Sequence, residues 1–168
     1  EEGFPIPSDR NLITNGGFEK ERFLGGGFDW KFGTISGAEI STDPSMAFEG
    51  KRSIKIVFNG KENVDFAHVY QFVPLKPNTE YVLKANMKTR GITTKSGLKI
   101  EISGLGSGFH KESDALIGDN EWKELMVAFR TPAQTQGGLV RVRRNSTDKF
   151  DRFIAGTVWV DNVRLMEK

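Results

Sequence analysis

The stretch from Phe66 to Lys88, FAHVYQFVPLKPNTEYVLKANMK, constrains this chain most. In it Tyr81, Leu83, Ala85 and Met87 alternate with Val82, Lys84, Asn86 and Lys88. A period of two puts one face against a core and the other in water, the signature of a strand rather than a helix. Val69, Gln71 and Val73 likewise share one face, and His68, Tyr70 and Phe72 share the other. The pattern predicts two long strands joined as a hairpin by a turn at Pro77-Asn78-Thr79, with Gln71 as a buried amide that needs partners. It also predicts one mixed face on which His68, Tyr70 and Phe72 stand beside Lys84, Asn86 and Lys88. Such a face suits a polar, ring-shaped ligand, and equally an ordinary solvated surface.

The rest of the chain repeats this grammar. Gly37 to Thr42, Arg52 to Phe58, Leu98 to Ile102, Trp122 to Arg130, Leu139 to Arg144 and Thr157 to Met166 read as strands, punctuated by Asp43-Pro44, Asn59-Gly60 and Thr131-Pro132. Asn11 to Glu19 reads as a brief strand and an Asn-Gly turn. Phe4-Pro5-Ile6-Pro7 is an extended lead-in, and Gly25-Gly26-Gly27 a loop that lets Trp30 turn inward or over a binding surface. Gly104 to Gly118 reads as one long polar loop with Phe109 and His110 near its middle. About nine or ten strands without a helix imply an all-β, two-sheet sandwich or jelly roll. At 168 residues, a single domain spanning 1–168 is expected.

Composition narrows the chemistry. The absence of cysteine removes disulfides, thiolate metal sites and cysteine nucleophiles together. A net charge of +2 gives no argument for nucleic acid or a membrane surface, so neither is an expected partner. No HExxH or GxSxG motif occurs, and His68 and His110 are far apart in sequence. Glu101 with Asp114 or Glu62 could be named as a carboxylate pair, but no spacing singles them out from solvated surface acids. Asn145-Ser146-Thr147 fits a glycosylation sequon. The domain therefore reads as non-catalytic. Glu1-Glu2-Gly3 is an unusual start for a natural chain, so an export signal and neighbouring domains are expected outside this sequence.

Several pieces in order resemble a known family. They are Asn11-Leu12-Ile13, Asn15-Gly16 and Phe18-Glu19, then Glu49-Gly50-Lys51-Arg52-Ser53-Ile54-Lys55. Gln71-Phe72-Val73 with Pro77, Thr79 and Tyr81 follows, then Trp122 with Phe129 and Pro132, and finally Asp161-Asn162-Val163 with Leu165. The chain resembles the carbohydrate-binding modules of the family 4/9/22 group, which have a galactose-binding-like jelly roll. The resemblance implies a bacterial accessory domain that binds a polysaccharide or oligosaccharide, within a longer parent protein placed outside the cell or in the periplasm. It also implies a structural calcium pinning the first strand to the last. The matching acids are Glu19 and Asp161, with backbone oxygens from Asn15 or Gly17 and from Lys51.

The family's cleft aromatics are not fixed by these motifs, so strand alternation supplies the candidate sugar site. It gives a concave sheet face with His68, Tyr70, Asn86, Lys88, Glu101, Arg141 and Arg143, joined by Trp30 or Phe109 from loops. Trp122 and Trp159 are expected in the core. Lys84, Lys88, Lys99, Arg141 and Arg143 on one face, against Glu101 alone, favour an acidic glycan or acidic partner surface over a neutral glucan or xylan. The alternative is a structural or protein-interaction sandwich that has lost sugar binding.

Overall fold

A computed structural model of the chain describes residues 10–20 and 29–168. The lead-in at 4–7 and the triple glycine at 25–27 lie outside the described residues. The described residues form ten strands and no α-helix. In chain order these are β1 (Lys31–Phe32), β2 (Ala38–Asp43), β3 (Ser53–Asn59), β4 (Phe66–Val73), β5 (Glu80–Ile92), β6 (Lys99–Leu105), β7 (His110–Glu112), β8 (Gly118–Arg130), β9 (Gly137–Arg144) and β10 (Ala155–Glu167). They make two five-stranded antiparallel sheets, β1-β4-β9-β6-β7 and β2-β3-β10-β5-β8, called here sheets A and B. This is the expected all-β sandwich.

The core fills the space between the sheets. Val69, Ile100, Ile102, Val140 and Val142 come from sheet A, and Ile54, Ile56, Leu83, Met87, Val158, Val160 and Leu165 from sheet B. Each buried aliphatic side chain of this size contributes about 1.5–3 kcal/mol relative to exposure. Alternation therefore assigns each strand an inward and an outward row.

The central pair is not a hairpin. β4 belongs to sheet A and β5 to sheet B, so Pro74–Thr79 is a corner that carries the chain between layers. Leu75 is buried within this corner, and Tyr81 Oη accepts a hydrogen bond from the Lys76 amide (2.9 Å). Alternation is the same for a strand paired in its own layer and for one facing it across a core. Asn59-Gly60 makes a similar corner between β3 and β4, with Gly60 at φ +79°.

Gln71 is fully buried on β4, and its amide closes a reciprocal pair with Thr14. Thr14 N–H donates to Gln71 Oε1 (2.8 Å) and Gln71 Nε2 donates to Thr14 O (2.9 Å). Residues 11–19 form turns rather than the expected brief strand, yet they dock on β10. Leu12 N–H bonds Leu165 O (2.8 Å), and Asn11 Oδ1 accepts from Leu165 N–H (3.0 Å). Gly16 is required there, because a Cβ would collide with the Val163 carbonyl oxygen. The expected long loop 104–118 contains β7, which pairs with β6 at the edge of sheet A.

Candidate functional site

The outward face of sheet A carries two rows that run across its strands. One is Lys31, Tyr70, Arg141, Glu101 and Glu112, each paired in register with the next across β1, β4, β9, β6 and β7. The other is Phe72, Leu139, Ser103 and His110. Arg143 and Lys99 pair beyond the first row, and His68 lies two residues before Tyr70 on the same face of β4. Tyr70 and Phe72 meet edge to face with ring centroids 6.1 Å apart.

Glu101 is the centre of the polar network. It is 2% exposed, and Arg141 grips its Oε1 through both Nε and Nη2. Oε2 lies 2.8 Å from His110 Nε2 and 3.5 Å from Arg143 Nε. Burial pushes the Glu101 carboxyl up, but hydrogen bonds from His110 and Arg141 and their charge outweigh it and hold the group below the ordinary carboxylate range. Arg143 also holds Asp65 and the Phe66 carbonyl, and Lys99 Nζ pairs with Glu112 (2.7 Å). The result is a hydrogen-bonded ionic patch beside two rings. Sugar recognition needs both kinds of surface, because hydroxyls seek fixed donors and acceptors while C–H faces seek rings.

The structure brings His68, Tyr70, Glu101, Arg141 and Arg143 together and separates four other expected residues from them. Asn86 and Lys88 stand on the outward face of sheet B, the other layer. Asn86 is buried there, and its Oδ1 accepts from Asn162 Nδ2 (3.1 Å) and Arg164 Nη1 (3.2 Å). Lys88 pairs with Glu121 (2.8 Å), and Lys84 with Glu124 (3.7 Å), also on sheet B. Trp30 is 3% exposed; it stacks on Phe18 at 5.0 Å and donates its indole N–H to Asn15 O (2.9 Å). Phe109 folds onto the core and stacks on Phe129 at 5.7 Å. Two ring-bearing residues expected in the core are half-buried instead. Trp159 donates to Asp43 Oδ2 (2.9 Å), and Trp122 meets Phe48 at 5.9 Å, outside the core cluster. Sequence reasoning missed His110 and Glu112 as members of the face, since a three-residue strand shows no alternation.

The expected calcium ligands divide as follows. Asp161 is fully buried at a bulge in β10, and its carboxylate accepts backbone N–H bonds from Phe48 (2.9 Å), Glu49 (3.0 Å) and Asn162 (2.7 Å). Glu19 Oε1 accepts from the amides of Lys51 (2.8 Å) and Arg52 (3.4 Å). A Cβ on Gly50 would collide with Glu19 Oε1, so the turn wraps this carboxylate closely. Burial pushes the Asp161 carboxyl up, and the nearby Glu19 charge adds to that despite the backbone bonds. Two converging acids on one turn, one of them desolvated, fit a hard divalent cation. The Asn15 carbonyl is already engaged by Trp30 and by Phe18 N–H (3.0 Å), and Gly17 is half-buried nearby in sequence. A separate cluster, Glu101, His110 and Glu112, has ligand-type atoms within 4.8 Å of one another, but it is threaded by the cations of this face.

The chain belongs to a carbohydrate-binding domain family, CBM_4_9, whose pattern matches residues 10–149. It is similar to a solved Family 16 Carbohydrate Binding Module-2, at 25% identity over 94% of this chain and 100% of that one, with a TM-score of 0.60. The CBM22-1 xylan-binding domain of Paenibacillus barcinonensis Xyn10C shares the fold at 15% identity, covering 95% of each chain with a TM-score of 0.62. TmCBM61, solved with β-1,4-galactotriose, shares it at 16% identity over 95% of this chain and 99% of that one, with a TM-score of 0.57. Among curated proteins, the tRNA(Glu)-specific nuclease WapA of Bacillus subtilis subsp. natto is 27% identical over 95% of this chain. This chain spans only 7% of that relative's length.

Proposed function

We propose that the outward face of sheet A binds a polysaccharide without cleaving it, as an accessory domain that delivers a longer bacterial protein to that polymer. The observation that carries this reading is the in-register row Lys31, Tyr70, Arg141, Glu101 and Glu112, flanked by Phe72 and His110. The family supports a saccharide ligand, and similar stretches within much longer nucleases support an accessory place. Delivery to a polysaccharide fits a location outside the cell or in the periplasm. Binding without hydrolysis fits the state of Glu101, because a general acid needs a raised pKa and this carboxyl is held low.

The ligand's charge follows from the pairing. Lys84 and Lys88 leave the face, and Arg141, Arg143 and Lys99 each hold a carboxylate already. An acidic glycan would have to displace those partners, whereas hydroxyls can use the outward lone pairs and N–H groups of intact pairs. We therefore read the preferred ligand as neutral rather than acidic. Capture should be assayed on insoluble polysaccharides and on an array that includes xylohexaose, cellohexaose, β-1,4-galactotriose and polygalacturonate. For the neutral polymer captured best, binding should change little across salt, since ring and hydroxyl contacts are not screened over a Debye length of about 8 Å. Tyr70→Ala should weaken it about tenfold or more at every salt concentration. Preferential capture of polygalacturonate, lost at high salt, would restore the acidic reading.

The proposal includes a structural calcium held by Glu19 and Asp161 with backbone oxygens near Gly17 and Lys51. Bound there, the ion would neutralise two carboxylates and brace the turn at 48–52 against β10. Excess chelator should then lower the melting temperature, since a ligand of the folded state stabilises it. Replacing both acids by Ala should abolish the chelator effect. An unchanged melting curve, with no metal in the purified protein, would remove the ion from the account. A protein-interaction role is the second reading, favoured by Phe48 and Met126, which stand exposed away from the sugar face.

A further inference from the structure

The strands β4 and β9 end together, with Phe66 opposite Arg144. Here the segment 60–65 meets the loop 145–154, and between them lies an open pocket of about 660 Å³ lined by Asn63, Ser146, Thr147, Asp148 and Arg152. Every lining side chain is polar. Asp148 makes no hydrogen bond or ion pair with the described residues, so its acceptors face solvent. The Arg152 guanidinium lies 4.9 Å above the Phe153 ring. Phe150, between Asp148 and Arg152 in the chain, is fully exposed.

An exposed ring on a slack loop would mean little, but this loop is pinned. Arg144, wholly buried, donates from Nη2 to Arg152 O (3.2 Å) and from Nη1 to Asn63 Oδ1 (3.0 Å). Asn63 in turn clasps Thr147, accepting its N–H (3.1 Å) and donating to its carbonyl (2.7 Å). Asp151 accepts the Lys95 amide (2.9 Å) from the opposite side. The pocket is thus formed before any ligand arrives, which lowers the ordering cost of binding.

The pocket also continues the sugar face. Glu101 contacts Arg143, Arg143 contacts Asp65, and Asp65 Oδ2 accepts from Ser146 Oγ (3.0 Å) at the pocket wall. We propose that this pocket is a terminal subsite, which takes the end sugar of a glycan chain lying on sheet A. Asp148 and Arg152 pair with vicinal hydroxyls, one as acceptor and one as planar donor, and the exposed Phe150 ring, between them in the chain, is available to a C–H face. The inference rests on the polysaccharide reading of sheet A and adds to it a preference for chain ends.

The test is a length series of xylo-oligosaccharides and of β-1,4-galacto-oligosaccharides, from disaccharide to octasaccharide, titrated calorimetrically. Phe150→Ala and Arg152→Ala alter exposed side chains, and Tyr70→Ala serves as the control for the face. Affinity should keep rising with length in the wild type. The two loop variants should lose that late gain, about tenfold on the longest oligomers, while short oligomers are unaffected. If the loop variants bind every length as the wild type does while Tyr70→Ala weakens all, the subsite is overturned and the face stands. If only the loop variants weaken binding, the pocket is kept and the face is overturned. Failure of the wild type to bind either series overturns both.

Discussion

Replacing Arg144 by Met is expected to destabilise the domain by about 3–5 kcal/mol. The side chain is wholly buried and donates to Ser96 O (3.2 Å), Asn63 Oδ1 (3.0 Å), Val64 O (2.9 Å), Thr94 Oγ1 (3.2 Å) and Arg152 O (3.2 Å). Methionine keeps much of the volume but leaves those acceptors without their donor, at roughly 1–3 kcal/mol for each that water cannot reach. Burial pushes the guanidinium pKa down and Asp151 and Asp65 oppose that, so the charge itself is supported from two loops. In a domain of this size the loss corresponds to a melting temperature lower by on the order of 10 °C. Denaturant titration gives the number directly. A change below about 1 kcal/mol would mean that the loops satisfy themselves without Arg144.

Glu101→Gln should lower both stability and binding. The substitution keeps the shape but removes the charge that orients Arg141, Arg143 and His110. A cost of about 2–3 kcal/mol in stability follows from weakened charge-assisted hydrogen bonds. Affinity for the captured polysaccharide should fall by about tenfold or more, since donors and acceptors of the face would no longer be fixed. The pH dependence carries the same sign. The folded Glu101 carboxyl is held below the ordinary carboxylate range, so its contribution to stability is present above that range and is lost as pH falls through the lower folded pKa. Wild-type stability should therefore drop in this acid window, and Glu101→Gln should lose part of that drop. Asp65 and Asp43 are also held low against burial, by Arg143 with Ser146 and by Ser45 with Trp159, and they add to the same drop. An identical acid limb in wild type and variant would show that Glu101 is not the coupled group.

Strand parity made much of this legible. It assigned Ile54, Leu83 and Val142 inward, and it grouped Tyr70 and His68 on one face and Arg141 with Arg143 on another strand's equivalent face. It could not say which strands share a layer. Two alternating strands joined by Pro74–Thr79 look the same whether they pair or face each other, and so parity sets Asn86 and Lys88 beside Tyr70 although a core separates them. Trp30 and Phe109 escaped for another reason. Outside a strand an aromatic residue has no parity, and only packing on Phe18 and on Phe129 decides that they point inward. Glu19 and Asp161, distant in sequence, were joined by family resemblance alone, and both do grip the turn at 48–52. The buried role of Arg144 had no sequence signal, because an arginine next to Arg143 reads as another surface cation.

Backbone amide shift mapping tests the central claim most directly. The isotope-labelled domain would be titrated with soluble fragments of whichever polysaccharide it captures. The account predicts perturbed amides along β4, β9, β6 and β7, centred on Tyr70, Arg141, Glu101 and His110, with the outward face of sheet B around Lys84, Trp122 and Met126 unmoved. Perturbations confined to sheet B, or none with any captured polysaccharide, would contradict it.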